Sequence, residues 1–253
     1  MDSGFIMSYS VKDRFIPVLL FFMAGASFGS FFCCAVHRIL EKKDWIKERS
    51  RCPQCGHVLG FADLIPLLSY FLLKGRCRYC KGRISIRYPI AEAVLGIIWM
   101  FTFLVYGSDL RVLFFRLFLF SAFFVLSLAD IEDYLIPDAC IVAILLDHLL
   151  ESLCYSDAES IVHDVSGAFV MAAFLFLLAE VMKKLTKKEN LGGGDVKLLF
   201  VIVLYTGVYR AFTVLFLASA SGLIFAFLTN KKKIAFGPFL CLGAILTIFL
   251  YRC

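Results

Sequence analysis

The sequence predicts an all-α polytopic membrane protein of about eight transmembrane helices, with a small cytoplasmic zinc-binding loop domain between the first two. Three observations carry this. Hydrophobic residues make up 61% of the chain, 28 residues are Phe and mean hydropathy is +0.85, outside the composition of a soluble globular domain. Apolar runs recur near the roughly 20-residue length that crosses a bilayer. The long polar interval after the first run holds two C-x2-C motifs.

The spans are expected near Phe15–Ala35, Pro89–Tyr106, Val112–Ala129, Ile136–Leu153, Val165–Met182, Asp195–Val208, Ala211–Leu228 and Ile234–Tyr251. Three regions follow: 1–36, the N-terminal segment and first helix; 37–88, the tetra-Cys zinc domain; and 89–253, the transmembrane domain.

The first run lacks a small-residue cleavage pattern and leads into a basic loop, so it is read as a retained helix. Gly25 and Gly29 lie four residues apart, which suits close helix packing in lipid. Cys33 and Cys34 act as small apolar residues in this span.

The loop that follows carries Arg38, Lys42, Lys43, Lys47, Arg49, Arg51, Lys74, Arg76, Arg78, Lys81, Arg83 and Arg87 against Glu41, Asp44, Glu48 and Asp63. The positive-inside rule makes it cytoplasmic. Counting spans onward puts the loops at Asp130, Lys183–Asn190 and Lys231–Lys233 on the same side. These loops account for the formal charge of +6. They also favour anionic lipid headgroups as neighbours. Nucleic acid is not an expected partner, because no basic stripe interleaves with exposed aromatics.

Within that loop, Cys52, Cys55, Cys77 and Cys80 form C-x2-C-x21-C-x2-C. Two such turns complete a tetrahedral four-thiolate shell suited to zinc, with no open position, so the metal is structural. Metal binding would supply much of the folding free energy of so polar a loop. Redox use of the C-x2-C pairs, or disulfides, is the other reading, disfavoured in a reducing compartment. His57 is read as a neighbour of the metal shell, not a ligand.

Pro89 suits the first turn of the second span, placing Glu92 inside it. There Glu92 either snorkels or pairs with Arg87, or has a functional role. The third span ends in Ala129-Asp130-Ile131-Glu132-Asp133, and Asp138 follows Pro137 at the next helix start, where it suits capping. Asp147 and His148 interrupt the fourth span. The sixth opens at Gly192-Gly193-Gly194-Asp195, whose glycines permit an unusual backbone and close approach by a neighbour. Phosphate-loop spacing is absent. In the last span, Phe236-Gly237-Pro238-Phe239 breaks an apolar segment and frees backbone groups for a cavity.

A carboxylate at the edge of a hydrophobic span is a functional-site hypothesis by default. Asp130 and Asp195 supply two, on the same predicted side and at similar depth. Brought together, they can share one proton, one acting as general base toward a water and the other as general acid.

At this point the chain resembles the type IV prepilin peptidases, the leader peptidase and N-methyltransferase members of the GxGD aspartic-protease group. The resemblance rests on Gly29-Ser30-Phe31 with Val36-His37-Arg38, the paired C-x2-C, Arg87-Tyr88-Pro89 with Glu92, Asp130 to Asp138, Gly192 to Lys197, and Phe236 to Phe239, in that order. It implies a multi-pass protein of the bacterial inner membrane whose Asp130 and Asp195 remove the basic leader of prepilins or pseudopilins at the cytoplasmic face. It further implies S-adenosylmethionine-dependent methylation of the new N-terminus, with Gly75 and Glu92 as candidate methyl-transfer residues. Cys33 and Cys34 depart from the family's Asn-aliphatic pair, and Glu132 from its more common Asp.

Two other classes fit parts of the sequence. A transporter or channel would use the acids as ion sites and the cysteines as a zinc-stabilised loop. A thiol oxidoreductase would cycle Cys52–Cys55 or Cys77–Cys80. Small-residue faces also allow a homo-oligomer.

Overall fold

The computed structural model describes residues 11–44, 49–155, 158–186, 192–229 and 234–251, some within helices by backbone alone. The predicted Lys231-Lys232-Lys233 turn lies outside them, as do Lys187 to Leu191. The described residues are helical, with no strand beyond two isolated β-bridges. The helices are α1 (Val11–Leu40), α2 (Leu68–Leu72), α3 (Arg87–Tyr106), α4 (Leu110–Asp133), α5 (Asp138–Tyr155), α6 (Ala158–Thr186), α7 (Gly193–Thr229) and α8 (Gly237–Tyr251).

Among the described residues, four helices are long and apolar enough to cross a membrane: α1 from Phe15, α3, α4 and α7. The apolar parts of α6 and α8, Val165–Phe174 and Gly237–Tyr251, are shorter. The predicted spans Asp195–Val208 and Ala211–Leu228 are joined into the single element α7, broken at Gly207 (φ 72°, ψ 164°). Only glycine takes that conformation without strain. The part before the break is about 20 Å long, short of the roughly 30 Å hydrocarbon layer.

The chain divides into two compact units, Met1–Leu117 and Phe118–Cys253. In the first, α1 lies against α3 because glycine removes the side chain where the backbones meet. A Cβ on Gly25 would sit 2.8 Å from the Leu95 carbonyl oxygen, and one on Gly29 2.6 Å from that of Ala91. Gly96 of α3 makes the reciprocal approach to Phe22. Phe21 stacks on Phe103 with centroids 4.5 Å apart. The close-packing role expected for Gly25 and Gly29 is what the structure has.

In the second unit, α7 packs against α5, α6 and α8. Asp147 does not interrupt α5: it is buried, and the Tyr205 hydroxyl of α7 donates to its Oδ2 at 2.8 Å. The same hydroxyl lies 3.2 Å from the Ile144 carbonyl oxygen. Two helices are thus joined by a polar clasp deep in apolar surroundings.

Candidate active site

The second unit brings the two predicted aspartates together. Asp130 is in the last turn of α4 and only 5% exposed. Its Oδ2 accepts a hydrogen bond from the Gly237 N–H at 2.8 Å. Gly237 is the first residue of α8, so the carboxylate sits where unpaired N–H groups and the helix dipole favour negative charge. Glycine is needed there, since a Cβ would lie 2.7 Å from Asp130 Oδ2.

Asp195 enters from the first turn of α7, half-buried and close enough to Asp130 for the two carboxylates to interact electrostatically. Its N–H donates to the Gly192 carbonyl oxygen at 3.1 Å. The glycines before it act through space, not through an unusual backbone: none of Gly192, Gly193 and Gly194 has a positive φ. A Cβ on Gly194 would meet the Ile136 side chain at 3.2 Å. A Cβ on Gly193 would meet no atom of the described residues within 4 Å outside its own helical turn and chain neighbours.

Beside the pair, Lys197 Nζ bonds Asp138 Oδ1 at 2.8 Å, tying the start of α7 to the start of α5 across exposed side chains. Asp138 thus has a cationic partner in addition to its place in the first turn of α5. Cys241, one turn beyond Gly237, is buried. Sequence reasoning singled out the Phe236–Phe239 break but not the Gly237 N–H as a partner of Asp130. The signal was the Gly-Pro pair, since Pro suits a helix's first turn and Gly admits a close neighbour.

In the first unit, Cys52, Cys55, Cys77 and Cys80 converge with their sulfurs within 4.8 Å of one another. Cys52 and Cys80 Sγ are 3.8 Å apart. That is about the edge of a tetrahedron with 2.3 Å zinc–sulfur bonds, so the donor set fits the metal. The two knuckles share one backbone plan. Cys52 N–H reaches the His57 carbonyl at 2.9 Å and Cys77 N–H that of Gly82 at 2.8 Å; Gly56 (φ 71°) and Lys81 (φ 58°) make the tight turns. His57 stacks on Tyr79, with centroids 3.6 Å apart, outside the four-sulfur cluster.

Asp63 braces this loop. Its side chain is 6% exposed and accepts from Arg78 Nε at 2.7 Å, the Gly60 N–H at 3.2 Å and the Tyr79 hydroxyl at 3.2 Å. Burial pushes its carboxyl pKa up, but these donors outweigh it and hold the group below the usual carboxylate range.

A cavity of about 550 Å³ lies between α1, the loop and α3, lined among others by Ser30, Arg38, Tyr70, Tyr88 and Glu92. Glu92 is buried and accepts the Leu67 N–H at 2.7 Å. Gly75 is not in the lining. It has φ 68° and backs onto Tyr70, 3.0 Å from a would-be Cβ, so it shapes the wall through that ring.

A helical membrane protein with paired acids at the ends of two helices and a four-thiolate loop defines a class, and the comparisons give the family. Residues 23–106 match the Bacterial Peptidase A24 N-terminal domain, and residues 117–227 the Type IV leader peptidase family. The chain is 33% identical to the Prepilin leader peptidase/N-methyltransferase of Bacillus subtilis over 92% of this chain and 93% of that protein. It is 28% identical to the protein of that name from Burkholderia pseudomallei, over 98% and 90% respectively. Against the Type 4 prepilin-like proteins leader peptide-processing enzyme of Escherichia coli O78:H11 it is 33% identical, over 80% and 76%. No solved structure matches. The chain belongs to the type IV leader peptidase family.

Proposed function

We propose that this protein is an aspartic endopeptidase that removes the leader of prepilins or pseudopilins and methylates the new N-terminus. The observation that carries the peptidase reading is Asp130, held by the Gly237 N–H within electrostatic reach of Asp195. The relatives' names support the substrate class and the second activity.

In this reading one carboxylate accepts a proton from a water as its oxygen attacks the scissile carbonyl. The other donates a proton to the carbonyl oxygen, and collapse of the tetrahedral intermediate expels the leaving amine, which takes a proton from the pair. The Gly237 N–H keeps Asp130 oriented through this exchange.

S-adenosylmethionine would supply an electrophilic methyl group. The cavity between α1, the loop and α3 fits such a cofactor by volume and by its mixed lining. Arg38 would hold its carboxylate, Glu92 its ammonium group, and Tyr70, positioned by Gly75, would stack on its base. Structural zinc on Cys52, Cys55, Cys77 and Cys80 would keep that wall folded. Residues 37–88 then form the zinc domain and 89–253 the peptidase domain. The basic charge of the loop supports an inner-membrane protein with its active site facing the cytoplasm.

Mass spectrometry of a prepilin co-expressed with this protein or with Asp195→Ala tests the reading. Leader loss and an added methyl are expected with the intact chain, and an intact leader with the variant. A leader still removed by Asp195→Ala would overturn the aspartic assignment.

A further inference from the structure

The segment between the two zinc knuckles is turned inside out. Phe61 is 95% exposed, Phe71 70% and Leu72 72%, while Leu64, Ile65 and Leu68 are also exposed. The polar groups of the same stretch point inward: Asp63 is tied to Arg78, Gly60 and Tyr79, and Ser69 and Tyr70 line the cavity. Large apolar side chains exposed together in one short segment mark an interaction site.

A second observation says what covers it. The Leu67 N–H is bonded to Glu92, which lies five residues past the start of α3, about 7 Å along the helix axis. Glu92 also lies against α1, its Cα 3.2 Å from a Cβ built on Gly29, eight residues before His37, the first of the basic residues that end that helix. The segment is therefore fastened at a level inside both helices, below their first charged residues. At that level α3 shows an outward stripe of Ile90, Val94, Ile97 and Phe101, exposed by 42 to 53%. This is the surface a spanning helix gives to lipid.

The backbone agrees. Irregular chain is tolerated at such depth only where its polar groups are satisfied. The N–H groups of Asp63, Leu64, Leu67, Ser69, Phe71 and Leu73 have partners, which leaves those of Phe61, Ala62 and Ile65, toward the start of the segment, without one among the described residues. Lys74, Arg76 and Lys81, exposed just beyond, suit anionic headgroups.

The geometry points to residues 61–72 as a re-entrant segment immersed in the bilayer leaflet, with Phe61, Phe71 and Leu72 among the acyl chains. This lipid contact would hold the mouth of the cavity at the membrane surface. It is independent of whether the cavity takes a methyl donor.

The test uses the full chain with Phe71→Trp in nanodiscs of phosphatidylcholine and phosphatidylglycerol, with and without brominated acyl chains. Emission is read relative to the parent, which supplies the Trp45 and Trp99 background. Bromolipid should reduce the added indole's emission about twofold, with little quenching by aqueous acrylamide. Quenching by acrylamide and not by bromolipid would overturn the proposal. So would protection from both, or protection that appears only when a prepilin is added, since either assigns the face to protein. A Phe61→Trp variant repeats the measurement, and retained zinc content shows that each variant is folded.

Discussion

Gly237 and Asp130 are 107 residues apart in the chain, yet the N–H of one and a carboxylate oxygen of the other are 2.8 Å apart. That bond fixes an acid against the N-terminus of a helix from another part of the sequence. It leaves no room for a side chain on its donor.

Gly237→Ala should therefore displace Asp130 instead of unfolding the bundle. A shift of about 1 Å in a catalytic group costs on the order of 10²-fold in rate, so leader cleavage should fall by about that factor. The check is a cleavage time course with purified protein, beside a thermal unfolding curve close to the parent's. Unchanged cleavage would separate Asp130's orientation from the chemistry.

Removal of zinc should split the two activities. Cys55 and Cys80 are exposed, so a chelator can reach the cluster, whereas Cys52 and Cys77 are buried and need the fold. Metal analysis should give one zinc per chain, lost with chelator and in Cys77→Ser. Methyl addition should disappear with it, while leader cleavage persists because Asp130 and Asp195 belong to the other compact unit. Loss of both together would contradict separate sites.

Asp63→Asn should weaken the zinc loop by about 1 kcal/mol, because one partner, Arg78, is half exposed and screened by solvent. The sign with pH follows from a carboxyl held below its ordinary value. Its stabilisation is present above the unfolded-state value of roughly 4 and is lost as pH falls through the lower, folded one. Zinc retention against chelator should differ between parent and variant at neutral pH. A difference that grew on acidification would refute the assignment.

Tyr205→Phe should cost about 1 to 3 kcal/mol, since it removes a donor to a buried carboxylate, Asp147, between α5 and α7. The readout is the unfolding midpoint in detergent. Tyr209→Phe is the matched control, because Tyr209 is 89% exposed. An equal effect of both substitutions would mean that the clasp contributes nothing particular.

Much of this was legible in the chain. The first three spans followed from apolar runs of bilayer-crossing length, while the predicted sixth and seventh proved to be one element broken at Gly207. The cysteine spacing announced the cluster because each C-x2-C turn aims two sulfurs at one point. Asp130 and Asp195 stood out because an acid bordering an apolar run is costly without a use.

Other features depend on pairs remote in sequence. The Gly237 bond to Asp130, the Lys197–Asp138 link and the Tyr205–Asp147 clasp join residues that no periodicity relates. Glu92 illustrates the difference: its position near a helix start left snorkelling, pairing with Arg87 and a functional role open, while the fold brings the Leu67 N–H to it from the loop. Local pattern alone determined the membrane class, the four-cysteine cluster and the choice of the two acids, because these rest on composition and short-range spacing. Only the tertiary structure decided how each acid is held and which apolar residues turn outward, because burial and hydrogen bonding are set by what the rest of the chain brings alongside.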